Sequence, residues 1–233
     1  MDDPPRRAAA SVADVSGDRY RVILADPPWA FSAWSGGDSR TAESQYRTMT
    51  TDEVCGLSVQ VGRWADPESV LFLWTTCSGL PDGLRVLRAW GYRYATVAFT
   101  WVKLGRKPLE DRDWQYRLAA SAEASTDRGL VTYRRQVYGT HWGMGHYTRS
   151  GSELCLLGVR GRVPRGARDV PQVLHAPVRE HSRKPDEVYG LIDRLYPDGP
   201  RLEMFARVAW PGWDRWGDEA PPDPTDSPPG GRP

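Results

Sequence analysis

The segment Asp26-Pro27-Pro28-Trp29 combines a carboxylate, two rigid imino acids and a large aromatic ring in four consecutive residues. The amino group of a heterocycle is a poor nucleophile because its lone pair is delocalised into the ring. Two acceptors aimed at its two N–H bonds, the Asp26 carboxylate and the Pro27 carbonyl, return that lone pair to nitrogen. The prolines fix φ and remove backbone donors that would capture those oxygens, and Trp29 offers a stacking face for a flipped base. The segment therefore indicates group transfer to an exocyclic amine, such as methylation.

The same four residues are also typical of an ordinary turn, since Asp-Pro and Pro-Pro are common turn formers. The preceding residues help to decide between the two interpretations. Residues 20–25 (YRVILA) are a short β-branched, apolar run that stops at Asp26, which predicts a buried parallel strand. Ligands of open α/β sheets bind beyond the carboxyl ends of the strands. Because the segment lies at such an end, we favour the catalytic interpretation.

Strands and helices are predicted to alternate along the rest of the chain. Apolar runs predict strands at 70–74, 94–102, 153–159, 170–176 and 201–206. A capping box at Thr50 and amphipathic runs predict helices after Thr50, at 81–90 and at 184–195. This alternation implies an α/β fold with a mainly parallel twisted sheet covered by helices on both faces. Asp26 and Arg207 each follow a predicted strand end, so we expect both to face one crevice.

Composition argues against several classes of site. The 3 cysteines lack CxxC spacing and the 4 histidines lack HxxxH or HExxH spacing, so no metal centre is expected. No signal peptide or long apolar span is present, which predicts a soluble, cytoplasmic protein without membrane contact. Residues 1–17 and 220–233 lack apolar periodicity and are interpreted as disordered tails. One catalytic domain is then expected at 18–219.

Charge gives a weaker signal. The formal net charge of +1 is close to neutral and does not by itself indicate a nucleic-acid partner. Positive charge is nevertheless concentrated in one stretch with few acids, at Arg160, Arg162, Arg165, Arg168, Arg179, Arg183 and Lys184. Arginine suits bidentate contact with phosphate, but a GC-rich coding genome explains the same preference.

Motifs spread over nearly the whole predicted domain resemble the MT-A70 family of adenine-N6 methyltransferases, which includes bacterial and phage DNA enzymes. The matching segments are ADPPW (25–29), YRTMTTDEV (46–54), LFLWTT (71–76), TWVK (100–103), GMGHYTRSGSELCLLGVRG (143–161), APVREHSRKPDEVYGLIDRLYP (176–197), RLEMFAR (201–207) and GWDRWGDE (212–219). The likeness is greater to short bacterial and phage members than to eukaryotic ones. It implies a Rossmann-like methyltransferase fold with permuted motif order, in which the DPPW strand comes first and the cofactor strand last.

The resemblance assigns roles to individual residues. The catalytic set is Asp26, Pro27, Pro28 and Trp29. The implied cofactor is S-adenosyl-L-methionine, with candidate contacts at Asp26, Lys184, Glu203, Phe205, Arg207, Asp218 and Glu219. Lys184 is expected to pair with the cofactor carboxylate, which its predicted position at a helix start favours independently. The family usually has Asn where this chain has Asp218, although an Asp still accepts from ribose hydroxyls.

Three further residues match family positions near the target nucleoside: Tyr46, Trp101 and Glu153. Trp101 ends an apolar strand, so a place in the core remains an alternative for it. The segment 105–138 is not covered by the matching motifs. Its arginines beside Trp114 and Tyr116 favour a lid over nucleic acid, whereas its interleaved acids favour a solvated loop or an excursion with its own helix.

The resemblance implies methyl transfer to N6 of adenine in a nucleic acid, with DNA favoured over RNA by the likeness to bacterial and phage members. Cytosine-N4 methylation is one alternative, because it uses the same amine chemistry. A second is a non-catalytic, nucleic-acid-binding subunit of a methyltransferase complex, and a third is methylation of a small-molecule amine.

Overall fold

A computed structural model of the chain describes residues 19–30, 48–108, 130–133, 136–143, 145, 147–180 and 183–221. Several predictions lie outside these residues. They concern the N-terminal tail, residues 222–233 of the C-terminal tail, Tyr46, and residues 109–129 and 134–135 of the 105–138 segment, which include Trp114 and Tyr116.

Nine strands are described, and seven of them form one mixed, mostly parallel sheet. The strands are β1 (Tyr20–Ala25), β2 (Ala65–Thr76), β3 (Arg93–Leu104), β4 (Leu130–Tyr133), β5 (Gln136–Gly139), β6 (Ser152–Arg160), β7 (Val173–Pro177), β8 (Arg201–Met204) and β9 (Asp214–Trp216). The spatial order of the large sheet is β7-β3-β6-β2-β1-β8-β9, and β4 pairs with β5 in a separate hairpin. Within the described sheet, β6 is the one strand that runs antiparallel to its neighbours.

Side-chain alternation along the central strands divides the core between the two faces of the sheet. Ile23 and Leu71 belong to the cluster on one face, and Leu24 and Phe72 belong to the cluster on the other. Adjacent residues of one strand point to opposite faces, so these strands are apolar on both sides. Each fully buried side chain of this kind contributes about 1.5–3 kcal/mol relative to exposure. The sheet is therefore held from both faces.

Four described helices cover those faces: α1 (Thr51–Gly56), α2 (Ser58–Trp64), α3 (Leu80–Ala89) and α4 (Glu187–Leu195). The first three pack on the Ile23 face through Val54, Val61 and Val86. The fourth packs on the Leu24 face through Val188 and Ile192. The predicted α/β arrangement with helices on both faces is confirmed. None of the described helices is long and apolar enough to cross a membrane.

The predicted capping box at Thr50 is also confirmed. The backbone N–H of Glu53 donates to the Thr50 hydroxyl at 3.3 Å, and the Thr50 N–H donates to the Glu53 carboxylate at 2.7 Å. These bonds satisfy amide groups that otherwise lack partners at the start of α1.

Several predicted boundaries were wrong: β2 begins at Ala65 rather than 70, and β7 at Val173 rather than 170. Two further differences affect the site and have a backbone reason. Helix α4 begins at Glu187 rather than Lys184, because the residue before a proline is pushed towards extended conformations and Pro185 follows Lys184. Strand β8 ends at Met204 rather than 206, because Phe205 adopts a φ of 62°. The anion-binding argument from a helix start therefore does not apply to Lys184.

Three elements were not predicted: α2, β9 and the β4–β5 hairpin. The hairpin lies in the 105–138 segment, where a helix was one of the alternatives. β9 is three residues long and extends the sheet beyond β8. Such short strands and helices carry too little periodic pattern to be seen in sequence.

Candidate active site

The Asp26–Trp29 loop leaves the carboxyl end of β1 and is fixed on both sides. The Met49 N–H donates to the Pro28 carbonyl at 2.7 Å, and the Ala30 N–H donates to the Met49 carbonyl at 2.8 Å. The Trp29 indole N–H donates to the Trp74 carbonyl at 3.0 Å, near the end of β2. These contacts hold the loop against the segment before α1 and against the neighbouring strand, so Asp26 projects from a rigid turn.

The prediction that the prolines leave the Pro27 carbonyl without a local donor was wrong. The backbone N–H of Trp29 donates to the Pro27 oxygen at 2.8 Å, because Trp29 is the first residue of the loop that keeps an amide hydrogen after the two prolines. A carbonyl oxygen has two lone pairs. Pro27 can therefore still accept one hydrogen bond from a bound amine.

Lys184 joins two carboxylates that come from different strands. Its ammonium donates to both oxygens of Asp26 at 2.7 Å and lies 3.2 Å from an oxygen of Glu153. Glu153 also accepts from the Lys103 ammonium at 2.6 Å. We call Lys103, Glu153, Lys184 and Asp26 the charge chain. All four side chains are largely buried, with exposed fractions between 9% and 18%.

Mutual attraction keeps the middle of the charge chain ionised. Burial would raise the pKa of Glu153, but Lys184 and Lys103 outweigh burial and hold this pKa below its usual value. Burial would lower the pKa of Lys184, but Asp26 and Glu153 outweigh it and raise this pKa. Both groups therefore remain charged at neutral pH, and Asp26 faces a permanent cation.

A cleft opens beside the charge chain at the carboxyl ends of β1 and β8. We call it the strand-end cleft; its lining includes Asp26, Trp74, Arg183, Lys184, Tyr189, Glu203, Phe205 and Arg207. The prediction that Asp26 and Arg207 face one crevice is confirmed. This is the position at which open α/β sheets bind ligands.

Glu203 is a buried acid on the wall of this cleft, with 8% of its surface exposed. One carboxylate oxygen accepts from the Tyr189 hydroxyl at 2.9 Å, and the other has no hydrogen-bond partner among the described residues. Burial is the main cause that raises the pKa of Glu203 to about 7; the Tyr189 hydrogen bond opposes it and Asp26 adds to it. A buried oxygen left without a partner is suited to a ligand donor.

The family is decided by comparison with known proteins. The sequence profile of the MT-A70 family matches residues 20–139 and 112–219. The chain belongs to the MT-A70 family. The predicted membership of the MT-A70 family is thereby confirmed, and the chain is a methyltransferase of that family.

Individual relatives agree with this membership. The chain is 30% identical over 221 residues to the type II methyltransferase M.MunI of Mycoplasma sp., which covers 87% of this chain and 78% of M.MunI. It is 30% identical over 205 residues to the N(6)-adenosine-methyltransferase catalytic subunit METTL3 of Homo sapiens. That match covers 86% of this chain and 28% of METTL3. This MT-A70 chain therefore spans most of M.MunI but about a quarter of METTL3.

The two ranges matched by the family profile together include residues 105–138. The likeness to the family therefore extends through this segment, although none of the matching motifs lies in it.

The strand-end cleft collects most of the residues that the MT-A70 resemblance assigned to the cofactor. Asp26, Lys184, Glu203, Phe205 and Arg207 all line it. The left-handed backbone at Phe205 follows β8 directly, and Gly217 packs on it so closely that a Cβ at Gly217 would lie 2.8 Å from the Phe205 Cα. This strained turn directs the chain from β8 into the cleft wall.

Two assigned cofactor residues lie outside the cleft lining. Glu219 is exposed and its carboxylate lies 3.4 Å from the Arg207 guanidinium, so it contacts the cleft through Arg207. Asp218 is exposed on the loop after β9. Their cofactor roles stay predictions.

Residues assigned to the nucleoside are divided between the charge chain and the core. Glu153 lies in the charge chain. Trp101 is 1% exposed and its indole N–H donates to the Ala176 carbonyl at 2.9 Å, which fits the core alternative. Trp29 packs partly against the core on the Ile23 face, and base stacking on it stays a prediction.

Several residues of the site were not predicted from sequence, among them Trp74 and Arg183 of the cleft lining; two others form its hydrogen bonds. Lys103 was part of the quoted TWVK motif, but no role was given to it. Tyr189, which donates to Glu203, was not singled out although it lies on the apolar face of α4. In both cases the partner is distant in sequence, so no local spacing could reveal the pair. No group of His, Cys, Asp or Glu within the described ranges could hold a metal ion.

Proposed function

We propose that this MT-A70 chain transfers a methyl group from S-adenosyl-L-methionine to the exocyclic N6 of adenine in DNA. The observation that carries the proposal is the position of Asp26, which lies at the carboxyl end of β1, lines the strand-end cleft and is held by Lys184 at 2.7 Å. The names of M.MunI and METTL3 support the methyltransferase class, and that of METTL3 supports the N6-adenosine chemistry.

Asp26 and Pro27 supply the two acceptors that the reaction needs. The Asp26 carboxylate accepts one N–H of the amine and the Pro27 carbonyl accepts the other through its second lone pair, which localises the nitrogen lone pair for attack. Lys184 holds Asp26 in one orientation, and this fixed geometry contributes by positioning the amine. The amine becomes acidic once it is methylated, so its proton leaves without a strong base.

The residues of the strand-end cleft fit the proposed cofactor. S-adenosyl-L-methionine, when bound, supplies an electrophilic methyl group on a sulfonium. The free carboxylate oxygen of Glu203 is suited to a hydroxyl or ammonium donor, and the cations Lys184 and Arg207 are suited to a carboxylate or to hydroxyl acceptors. Phe205 offers an aromatic edge on the same wall. Asp218 and Glu219 are proposed to contact the ribose from the rim.

The order of these parts along the chain supports the permuted arrangement that the resemblance implies. The loop carrying Asp26 follows β1, the first strand, whereas Glu203 lies on β8 near the end of the described chain. β1 and β8 are adjacent parallel strands, so the first and the penultimate strands together line the cleft. We propose that β8 is the cofactor strand.

One labelling experiment tests the function and separates its alternatives. The full chain is incubated with S-adenosyl-L-methionine tritiated on the methyl group and with unmethylated DNA or RNA, and the polymer is then digested to nucleosides and chromatographed. We expect label in N6-methyldeoxyadenosine, and Asp26→Asn, which keeps the shape but removes the charge, should lower its rate of formation by about 10²-fold.

Each alternative gives a different result in this experiment. Label in N4-methyldeoxycytidine would replace adenine by cytosine as the target, and label in N6-methyladenosine would replace DNA by RNA. Absence of cofactor binding in equilibrium dialysis would favour a non-catalytic subunit. Transfer to a free amine at a rate insensitive to salt would favour a small-molecule substrate, since contacts with nucleic acid weaken with salt.

A further inference from the structure

Lys103 is a buried cation of the charge chain to which neither the proposed mechanism nor the family motifs give a role. It lies near the carboxyl end of β3, its side chain is 18% exposed, and its ammonium donates to Glu153 at 2.6 Å. It is not among the residues that line the strand-end cleft. Lys103 therefore meets the site through Glu153.

The charge chain follows the order of the strands across the sheet. Lys103 comes from β3, Glu153 from the neighbouring β6, and Asp26 follows β1, with β2 between β6 and β1. Lys184 bridges that interval, because its ammonium lies 5.7 Å from the centre of the Trp74 ring of β2. The Lys103 ammonium lies in a similar way 5.2 Å from the centre of the Trp101 ring of β3. Positive and negative groups thus alternate along one edge.

The described ion pairs of Lys103 and Asp26 do not join these two residues directly. Three inter-strand spacings separate β3 from β1 in the sheet, which corresponds to about 14 Å between their backbones. The contacts that connect Lys103 with Asp26 run through Glu153 and Lys184. The backbone of Glu153 is held between two strands, because Trp101 of β3 and Thr76 of β2 are its cross-strand partners.

The charges of the charge chain balance one another, and this explains why Lys103 is needed. Two carboxylates and two ammonium groups are buried together, so the chain is neutral as a whole. Without Lys103, two buried carboxylates would compete for the single ammonium of Lys184, and Glu153 would draw it away from Asp26. Removing one partner of a buried ion pair is costly because the remaining charge is left uncompensated.

We propose that Lys103 is a positioning residue for methyl transfer: by neutralising Glu153, it leaves Lys184 free to fix the orientation of Asp26. This proposal rests on the proposed function, in which Asp26 grips the amine. Lys103 is not a catalytic residue, because its only described polar partner is Glu153. Its effect is expected on turnover rather than on the affinity for cofactor or DNA.

The first test compares Lys103→Met with a matched control. Lys103→Met keeps the aliphatic stem and removes the charge, and we expect kcat to fall about tenfold with KM for DNA and Kd for the cofactor nearly unchanged. Lys103→Arg keeps the charge and should recover most of the rate. Arg88→Met removes a positive charge from an exposed residue of α3 and should behave like wild type.

The second test asks whether Lys103 acts through Glu153. In a Glu153→Gln background the charge that Lys103 neutralises is gone, so adding Lys103→Met should change kcat by less than about twofold. If Lys103→Met instead raised KM for DNA and kept that effect in the Glu153→Gln background, Lys103 would be a direct phosphate contact and the proposal would be overturned. Equal kcat in Lys103→Met and wild type would overturn it as well.

The same four proteins also separate failure of this proposal from failure of the proposed function. Wild type that produces no N6-methyladenine contradicts the function, whatever the variants do. The coupling of Lys103 to Glu153 is then still measured by chemical denaturation of the wild type, both single variants and the double variant. Additive changes in the free energy of unfolding would contradict the pairing, and non-additive changes would support it.

Discussion

The two ends of the sheet use buried cations in opposite ways. At the amino ends of the parallel strands, Arg201 donates to the carbonyls of Gly199, Tyr196 and Pro197 and lies 2.8 Å from Asp193. At the carboxyl ends, Lys184 lies between two carboxylates on the wall of an open cleft. Arg201 satisfies backbone carbonyls of neighbouring loops, whereas Lys184 holds carboxylate side chains at the wall of the strand-end cleft.

The difference separates stability from function within one fold. Carbonyls that end a helix or a turn need donors, and Arg201 supplies several from a single fork. At the carboxyl ends, the described ion pairs of the charge chain join its members to one another, and one oxygen of Glu203 has no partner among the described residues. We therefore expect substitutions at the amino end to lower stability, and those at the carboxyl end to lower activity.

The largest expected effect is that of Asp26→Ala. The variant removes the acceptor that localises the amine lone pair, and we expect kcat to fall by about 10²–10³-fold, the usual effect of one preorganised polar group. The free energy of unfolding should also fall, by about 1–3 kcal/mol, because the largely buried Lys184 loses Asp26 and keeps only Glu153 as a counter-charge. Tritium transfer to DNA and urea denaturation measure the two quantities. A variant with a wild-type rate would remove Asp26 from the mechanism.

Arg201→Met tests the opposite end. It leaves several loop carbonyls without their shared donor and Asp193 without its ion-pair partner. The free energy of unfolding should therefore fall by about 2–3 kcal/mol. Turnover per folded molecule should stay within about twofold of wild type, since Arg201 lies at the far end of β8 from the cleft. Arg19→Met, at an exposed residue just before β1, is the control for loss of an arginine at this end and should retain wild-type stability. If Arg201→Met retained stability but lost turnover, the division between the two ends would be wrong.

Glu203→Gln tests whether the cleft is maintained at a cost in stability. Burial raises the pKa of Glu203 from 4.5 to about 7, so the folded protein holds this proton more tightly than the unfolded chain. The favourable contribution of this proton to the free energy of unfolding is complete below pH 4.5 and is lost as pH rises through about 7. Glutamine carries no charge and still accepts from Tyr189. We therefore expect the variant to be more stable than wild type at pH 8, by on the order of 2 kcal/mol.

Thermal unfolding at several pH values checks this expectation. The difference in Tm between Glu203→Gln and wild type should shrink towards zero at pH 5, where Glu203 is protonated in the folded state. A difference that did not change with pH would mean that the charge of Glu203 is not its cause. Glu219→Gln, at the exposed partner of Arg207, should show little pH-dependent difference. Weaker cofactor binding by Glu203→Gln would show that the buried charge that lowers stability also serves ligand binding in the cleft.

The features that could be predicted from sequence are those whose interacting residues lie close together along the chain. β1 was predicted to its last residue, because its apolar run ends abruptly at two prolines. The capping box was predicted because both of its partners lie within four residues. Lys184 was assigned to the cofactor by the family resemblance, with support from a helix start that lies three residues further along. Its contacts with Asp26 and Glu153 could not be derived from spacing. Arg160 illustrates the same limit: it lies in an arginine-rich stretch that suggested phosphate, yet it donates to the Trp90 carbonyl at the amino end.

Thr50→Ala has the smallest expected effect, and it tests whether the position of a residue or its charge decides its role. Thr50 lies at the carboxyl end, beside the Met49 backbone that holds the Pro28 carbonyl, but it contributes no charge to the cleft. Loss of the cap should lower the free energy of unfolding by about 1 kcal/mol and leave kcat nearly unchanged, so Thr50 should resemble an amino-end residue. Thr50→Ser keeps the hydroxyl and should retain stability. A large fall in kcat for Thr50→Ala, with stability preserved, would mean that the loop before α1 controls Asp26 directly and that position alone sets the role of a residue.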